Sequence, residues 1–207
     1  MQKAKKKRID YSTDFLWAVQ LKCRLPTVRG VHTLACLETN LGLNGWWSLI
    51  QRISNNEQVV NCWLLKTEPE EFSIDDLAKK KREPWSGVRN FVARNHMRQM
   101  KKGNLVFIYH TGDEKQIVGI GKVASEAYDD PIQFDKKSDY YDVSSTKENP
   151  KWQLVDIAFM RKFIKGMTLA EIKNDPVLGG MVLAQAPRLS VQPVSVKHFE
   201  YILKKLS

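Results

Sequence analysis

The feature that most constrains the fold of this chain is a change in sequence pattern near residue 61. From residue 13 to residue 60, apolar residues follow neither the period of about 2 that is typical of strands nor the period of about 3.6 that is typical of helices. After residue 61, short apolar runs alternate with helix-capping and turn residues. We therefore predict an N-terminal extension, residues 1–60, followed by one folded domain, residues 61–207.

The extension carries a large share of the positive charge. The chain of 207 residues has a formal net charge of +10, and residues 1–60 contain 9 basic residues against 4 acidic ones. Most of this excess lies in a basic run between Lys3 and Arg8. Such a run can be a nuclear localisation signal or a nucleic-acid arm, although a solvated, disordered tail is more common. The charge favours polyanionic partners without identifying one.

An upstream start of translation is a second explanation for the extension. The sequence has no methionine between Met1 and Met97, but Val59 and Val60 stand directly before the first predicted strand. Bacteria can start translation at GTG, which encodes valine inside a reading frame. We expect either a native start at Val59 or Val60, or a basic arm that adds non-specific affinity for nucleic acid. The first alternative favours a bacterial, cytoplasmic protein, and the nucleus is the alternative location in a eukaryote.

Five apolar runs predict short strands in the folded domain: residues 62–65, 105–110, 117–123, 154–159 and 189–194. The second run is apolar along its length, so we expect burial on both faces. Pro193 in the last run predicts an edge strand or a strand end. The third run contains Gly119-Ile120-Gly121, which imitates a dinucleotide-binding loop. Because no helix opens after it, close approach of another backbone explains these glycines better.

Capping signals predict four helices, which start after Ser73, Asn90, Thr168 and Ser195. We expect the second helix to run to Lys102, with Gly103 just after its end. Its apolar stripe contains Ala93, Met97 and Met100. Short strands with inserted helices, rather than strict alternation, predict an α+β fold with a small barrel-like sheet and not a Rossmann sheet.

The motifs of several common enzyme classes are absent from the sequence. It lacks H-E-x-x-H, G-x-S-x-G, the P-loop and the zinc-deaminase signature. Its 3 cysteines contain no C-x-x-C pair, and its 4 histidines lack the spacing of metal ligands. No stretch is long and apolar enough to cross a bilayer. We therefore expect no metal, no cofactor and no membrane partner.

Charged and aromatic residues concentrate in two segments. Residues 63–69, Trp-Leu-Leu-Lys-Thr-Glu-Pro, place an indole, an ammonium group and a carboxylate near the end of a strand. Residues 85–90, Trp-Ser-Gly-Val-Arg-Asn, form a loop that enters a helix N-terminus, whose free N–H groups suit a ligand rich in acceptors. A buried tryptophan, a structural Lys66–Glu68 pair and an asparagine N-cap explain the same residues without a ligand.

These segments, followed by Phe-Ile-Tyr-His at residues 107–110, resemble the EVE domain. The motifs Tyr-Asp-Asp-Pro at 128–131, Tyr-Tyr-Asp at 140–142, Pro-Lys-Trp at 150–152 and Arg-Leu-Ser-Val-Gln-Pro-Val at 188–194 follow in the order of that family. The resemblance covers nearly all of residues 61–207. It implies a PUA-like fold, a small curved β-barrel flanked by helices. It also implies a non-catalytic module that binds a modified nucleobase or nucleotide, in DNA or RNA, in an aromatic-lined pocket.

The resemblance implies a set of ligand-binding residues in this sequence: Trp63, Lys66, Trp85, Val88, Arg89, Asn90, Tyr109, His110 and Trp152. Residues 190–193 extend the set. We also expect contacts with flanking phosphates from three cations at helical spacing, Arg94, Arg98 and Lys101, although a solvated helix face explains them equally well. For Arg89 the alternative is a structural ion pair with Glu68 or Asp156.

Two other functions fit the same residues. A pocket that accepts a base can also accept a free nucleoside or another heterocycle, which would make the protein a small-molecule sensor. A nucleic-acid hydrolase or modifying enzyme would use Lys66, Glu68 and His110. The lack of a recognisable nucleophile–base pair or metal cluster counts against the enzyme.

Overall fold

A computed structural model describes residues 61–206, so the predictions for residues 1–60 lie outside the described residues. The described segment contains strands β1 (Cys62–Thr67), β2 (Arg82–Pro84), β3 (Leu105–His110), β4 (Gln116–Val123), β5 (Tyr128–Asp129), β6 (Gln153–Leu154), β7 (Asp156–Thr168) and β8 (Val191–Val194). Its helices are α1 (Ile74–Lys80), α2 (Phe91–Gln99), α3 (Leu169–Asn174), α4 (Val182–Gln185) and α5 (Val196–Leu206). A 3-10 turn, Pro131–Phe134, lies between β5 and β6.

Six of the strands form one curled sheet in the order β2-β7-β4-β3-β1-β8. Strands β1 and β3 pair in parallel, and the other neighbours are antiparallel. The sheet is a half-barrel with β2 and β8 at its two edges, and β5 and β6 form a separate ribbon. This architecture confirms the α+β prediction and the edge position of the strand that contains Pro193.

Apolar side chains cover both faces of this sheet. On one face, the ring of Phe107 in β3 stacks on Phe199 of α5, with centroids 4.0 Å apart. On the other face, Ile108 lies in one cluster with Leu77 of α1 and Met97 of α2. Successive side chains of a strand point to opposite faces. All six residues of β3 are therefore buried, as its uninterrupted apolar run predicts.

The glycines of β4 allow two backbones to approach closely. A Cβ atom on Gly119 would lie 2.7 Å from the carbonyl oxygen of Arg161 and 2.8 Å from Cδ1 of Ile74. A Cβ atom on Gly121 would lie 2.8 Å from a methyl group of Ile157. The register between β4 and β7 shifts at both places. The close-approach prediction for this Gly-Ile-Gly segment is confirmed.

The start of α2 is predicted correctly, but its end is not. The side chain of Asn90 accepts hydrogen bonds from the second and third residues of the helix, as an N-cap does. The helix ends at Gln99, so the predicted end at Lys102 is wrong. The reason is tertiary. The side-chain oxygen of Asn104 accepts hydrogen bonds from the N–H of Lys101 and from Nε1 of the buried Trp63. These two bonds hold the chain in a turn where the sequence predicts the last turn of the helix.

The remaining boundaries follow the same division between local and tertiary control. The capping boxes of Ser73 with Asp76 and of Thr168 with Glu171 both form, because each needs only side chains three residues apart. The strand predicted at residues 154–159 is instead two strands, β6 and the 13-residue β7. Long pairing of β7 with β4 extends it beyond the alternating segment.

Candidate functional site

A cleft of about 630 Å³ that is open to solvent lies among the described residues. It lies where the C-terminal end of β1 meets the segment after β2. Its walls come from residues 66–68, 71–72, 83–89, 187–188 and 190, with Lys80, Thr111 and Tyr140 completing the lining. Both segments that the sequence singled out therefore contribute to one cleft.

A buried carboxylate holds the loop that forms one wall. Asp130 is 1% exposed, and its Oδ2 atom accepts hydrogen bonds from the N–H of Gly87 at 3.1 Å and from Nη1 of Arg89 at 2.8 Å. Its Oδ1 atom accepts from the N–H of Ile132. A charge-assisted hydrogen bond in a buried setting is stronger than a neutral one. Asp130 thus fixes residues 87–89 against the 3-10 turn.

Tyr140 covers this loop from the cleft side. A Cβ atom on Gly87 would lie 3.1 Å from Cζ of the Tyr140 ring, and Gly87 has a φ of +81°. Only glycine adopts that conformation readily and also leaves room for the ring. Tyr140 is 40% exposed, so one part of its ring packs on the loop while another part faces solvent in the cleft.

Arg89 is a positioned cation at the rim of the cleft. Its guanidinium carbon lies 5.7 Å from the centroid of Tyr140 and 5.5 Å from that of Trp152, within the range of cation–π contacts. Nε donates to the carbonyl oxygen of Tyr140 at 2.7 Å. Nη2 is buried without a hydrogen-bond partner among residues 61–206. Arg89 forms its ion pair with Asp130, so the alternative pairing with Glu68 or Asp156 is wrong.

Lys66 lies on the opposite side of the cleft, at the end of β1. Its Nζ donates to the carbonyl oxygen of Pro187 at 2.7 Å and lies 5.4 Å from the ring centroid of Tyr109. Burial lowers the pKa of Lys66 to about 8, because the protonated amine loses hydration there. At neutral pH this side chain is a half-buried ammonium group with donors to spare.

Aromatic rings also line the cleft. Trp85 is 7% exposed, and its ring meets Phe72 edge-on with centroids 6.0 Å apart. Both residues line the cleft, together with Val88. Four residues of the predicted ligand-binding set therefore come together here, namely Lys66, Trp85, Val88 and Arg89.

The structure places the other five of the nine named residues outside the cleft lining, whereas Ser190 of the extended set lines it. Trp63 is buried in the core and donates from Nε1 to Asn104. Asn90 caps α2 with its side chain. Tyr109 is 3% exposed and lies under Lys66. Trp152 is 5% exposed, and the Phe91 ring stacks on it with centroids 4.9 Å apart.

His110 serves a different part of the molecule. Its ring is 4% exposed, and Nε2 accepts a hydrogen bond from the N–H of Ile74 at the start of α1. Nδ1 lies 2.9 Å from a carboxylate oxygen of Glu114. The ring lines a separate cavity of about 430 Å³ that also borders Lys162 and Ile164. Both ring nitrogens are therefore engaged in holding neighbouring segments together.

The three predicted phosphate contacts differ in their surroundings. Arg94 donates to the carbonyl oxygen of Lys151 and to Asn95, and Arg98 donates to Gln153, so their partners are neutral. Lys101 lies 3.3 Å from a carboxylate oxygen of Glu126, in an exposed ion pair. The charge of Lys101 is thus partly offset, whereas the charges of both arginines are not.

Sequence reasoning missed Phe72, Tyr140 and Arg188 as cleft residues. Tyr140 belongs to the Tyr-Tyr-Asp motif at residues 140–142, which carried the family resemblance but no prediction about a pocket. No periodic pattern spans that region, so only the fold brings Tyr140 to Gly87. Among residues 61–206, no group of three or more His, Cys, Asp or Glu side chains could hold a metal ion, and no helix could span a membrane.

Comparisons with known proteins identify relatives of this domain. The profile of the EVE domain matches residues 61–205. Thymocyte nuclear protein 1 of Gallus gallus is 40% identical over 185 residues, covering 78% of this chain and 76% of the relative. The protein of the same name in Danio rerio is 43% identical over 161 residues, covering 68% and 70%.

Solved structures agree with the fold. A hypothetical protein from Leishmania major has a TM-score of 0.70 and 45% identity, covering 72% of this chain and 96% of its own. The human THYN1 protein, solved in complex with DNA that contains 5-methylcytosine, has a TM-score of 0.68 and 39% identity, covering 71% and 98%. The expected PUA-like architecture is confirmed by these matches.

Proposed function

Because this chain belongs to the EVE domain family, we propose that its cleft binds a modified nucleobase in DNA, with 5-methylcytosine as the first candidate. The observation that carries the proposal is the cleft of about 630 Å³, which combines aromatic walls with cations at its rim. The complex of the human relative with 5-methylcytosine DNA supports the choice of ligand. We propose binding without catalysis.

The cleft residues divide into stacking and polar groups. A base taken out of its stack needs an aromatic surface, and base–aromatic stacking contributes about 1–3 kcal/mol per base. Tyr140, which is 40% exposed, offers such a surface in the cleft, and the 7% exposed Trp85 adds little area to it. The Watson–Crick edge of the bound base needs a few hydrogen-bond donors and acceptors. The side chains of Glu68, Ser86 and Thr111 carry such groups at the cleft lining.

Cations around the cleft suit the phosphates beside that base. Lys66, Arg89 and Arg188 lie at the lining, and Arg94 and Arg98 follow on α2. Contacts with phosphates position a strand, whereas contacts with the base edge decide which base is accepted. Lys101 contributes less in this proposal because Glu126 offsets its charge.

The remaining predicted residues support the cleft indirectly. Trp63 anchors β1 in the core, Asn90 fixes the start of α2 next to the 87–89 loop, and Trp152 packs under Arg89. Tyr109 lies beneath the ammonium group of Lys66. His110 lines a different cavity from Lys66 and Glu68, which disfavours an enzyme that uses the three together.

A pair of adjacent tyrosines gives a matched test. Tyr140 lines the cleft and Tyr141 does not, although their exposed fractions are similar, 40% and 36%. Fluorescence anisotropy would measure the affinity of the full chain for labelled oligonucleotides with cytosine or 5-methylcytosine at one position. We expect tighter binding of the methylated strand, a loss on Tyr140→Ala of about 5- to 150-fold, and no change on Tyr141→Ala.

Other results of this test would change the assignment. Equal affinity for both strands would refute recognition of the methyl group. Equal losses in both tyrosine variants would place the ligand elsewhere. Tight binding of the free nucleoside, with no gain from a strand, would favour the small-molecule sensor instead.

Location and the N-terminal extension complete the proposal. Nuclear names among the relatives favour the nucleus if this protein comes from a eukaryote, and the cytoplasm stays our prediction for a bacterial source. We propose either a native start at Val59 or Val60, with the residues up to 59 as translated upstream sequence, or a basic arm over residues 1–60. Intact-mass measurement of the protein from its native host separates the two, since a mass near 23.9 kDa excludes the internal start.

A further inference from the structure

A partly exposed aromatic ring lies outside the cleft, at the first residue of α2. Phe91 is 57% exposed, yet its ring stacks on Trp152 with centroids 4.9 Å apart and planes 26° from parallel. Single exposed apolar residues are common and need no explanation. This one is held in a fixed orientation by a nearly buried tryptophan, so its exposed surface is a rigid platform.

The contacts of Phe91 leave part of its ring exposed. The guanidinium carbon of Arg94 lies 4.9 Å from the Phe91 centroid and 5.8 Å from the Trp152 centroid. Trp152 stacks on the Phe91 ring with centroids 4.9 Å apart. Phe91 is nevertheless 57% exposed beside these two neighbours, so part of its ring is accessible to a ligand.

This platform is continuous with the cleft. Trp152, below Phe91, is 5.5 Å from the guanidinium of Arg89, and Arg89 is 5.7 Å from the ring of Tyr140, which lines the cleft. Each group in the row Tyr140, Arg89, Trp152 and Phe91 is thus within about 6 Å of the next. Bases that are adjacent on a single strand bind along such rows of aromatic and cationic groups.

Two arginines without a direct ion pair among the described residues lie beside the platform, and Gln153 separates Arg98 from the carboxylate of Asp129. Arg94 and Arg98 donate only to amide and carbonyl oxygens, and in the described part of the chain neither lies within ion-pair distance of a carboxylate. Burial, with a smaller contribution from the nearby charge of Arg98, lowers the pKa of Arg94. Two like charges held close together without an acidic partner suit a phosphate group.

We propose that the exposed part of the Phe91 ring stacks with the nucleotide next to the modified base, and that Arg94 and Arg98 bind the phosphate of that nucleotide. This inference rests on the proposed function of the cleft and extends it. It makes the ligand a single strand, or a duplex with the base and its neighbour unstacked, rather than a free nucleoside. A purely structural role, in which Phe91 only attaches α2 to Trp152, predicts lower stability but no dependence on ligand length.

The experiment compares two ligands and three forms of the full chain. The ligands are the nucleoside 5-methyldeoxycytidine, measured by calorimetry, and a trinucleotide with 5-methylcytosine in the middle. The forms are the unchanged chain, Phe91→Ala and the control Val92→Ala, whose residue is adjacent in α2 and 52% exposed. We expect Phe91→Ala to weaken trinucleotide binding by about 5- to 150-fold and to leave the nucleoside affinity unchanged. Val92→Ala should change neither.

A trinucleotide with one abasic neighbour identifies the contact directly. Removing the base that stacks on Phe91 should weaken binding as much as Phe91→Ala does, and combining the two changes should cost no more than either one. Testing abasic positions on each side of the modified base shows which neighbour is involved. Circular dichroism confirms that each variant is folded.

Three results would overturn the inference. If Phe91→Ala leaves trinucleotide affinity unchanged while Tyr140→Ala lowers it, the cleft binds a base without this platform, and the proposed function stands. If Phe91→Ala weakens nucleoside and trinucleotide binding equally, its role is structural. If the unchanged chain binds neither ligand, the proposed function itself fails and this inference fails with it.

Discussion

Replacing Asp130 tests how the wall of the cleft is held. Its carboxylate is 1% exposed and accepts three hydrogen bonds, from Gly87, Arg89 and Ile132. Asp130→Ala removes all three and leaves the guanidinium of Arg89, whose side chain is 19% exposed, without its counter-ion. Removing one partner of a buried pair costs about 3–5 kcal/mol. We therefore expect the free energy of unfolding to fall by about 3–5 kcal/mol.

Thermal and urea unfolding, followed by circular dichroism, would measure this loss. For a domain of this size, about 1 kcal/mol lowers the Tm by roughly 2–4 °C, so the expected decrease is roughly 6–20 °C. Asp129→Ala is the matched control, because Asp129 is adjacent and exposed and accepts one hydrogen bond from Gln153. The control should change the free energy of unfolding by less than about 0.5 kcal/mol.

A double variant distinguishes the stability lost with the ion pair from the stability lost by leaving the Arg89 guanidinium without a counter-ion. Asp130→Ala combined with Arg89→Met removes both charges and keeps most of the apolar contact with Trp152. Because no unpaired guanidinium remains, the double variant should be more stable than Asp130→Ala alone. If Asp130→Ala is as stable as the unchanged protein, the ion pair does not hold the loop, and our account of the cleft wall is wrong.

Three further predictions concern the sheet, the cleft and the second cavity. Gly119→Ala should lower the free energy of unfolding by about 1–3 kcal/mol, because the added Cβ would lie 2.7 Å from a carbonyl oxygen. Gly180→Ala should not lower it, because a Cβ there would have no atom within 4 Å. Denaturant unfolding checks this, and equal stability of the two variants would contradict it. The pKa of about 8 for Lys66 predicts that DNA affinity is constant below pH 8 and falls above it, because the ammonium group loses its proton. Anisotropy titrations at several pH values would measure this fall, and a Lys66→Met variant should not show it. His110 should carry its proton on Nδ1, facing Glu114, because Nε2 accepts from a backbone N–H; nitrogen NMR shifts that place the proton on Nε2 would refute this.

Part of the cleft could be predicted from sequence because its signals are local. The Trp-Ser-Gly-Val-Arg segment at residues 85–89 lines it, and so does Lys66, which lies near the end of β1 as its strand position predicts. The glycine in that segment has a positive φ, which a turn into a helix often requires. Capping boxes and the N-cap at Asn90 likewise depend on atoms within three residues of each other.

What the tertiary structure alone decided is which distant residues meet. Arg89 pairs with Asp130, 41 residues away, and not with the two acids considered from sequence. Tyr140 reaches Gly87 from a segment with no periodic pattern. Trp63 packs in the core beside His96 of α2 and donates to Asn104, and it does not line the cleft. Periodicity and capping patterns predict the helices and strands, because they depend on hydrogen bonds and burial among residues close together in the sequence. The pairing of loops depends on sheet order and register, which local patterns do not encode.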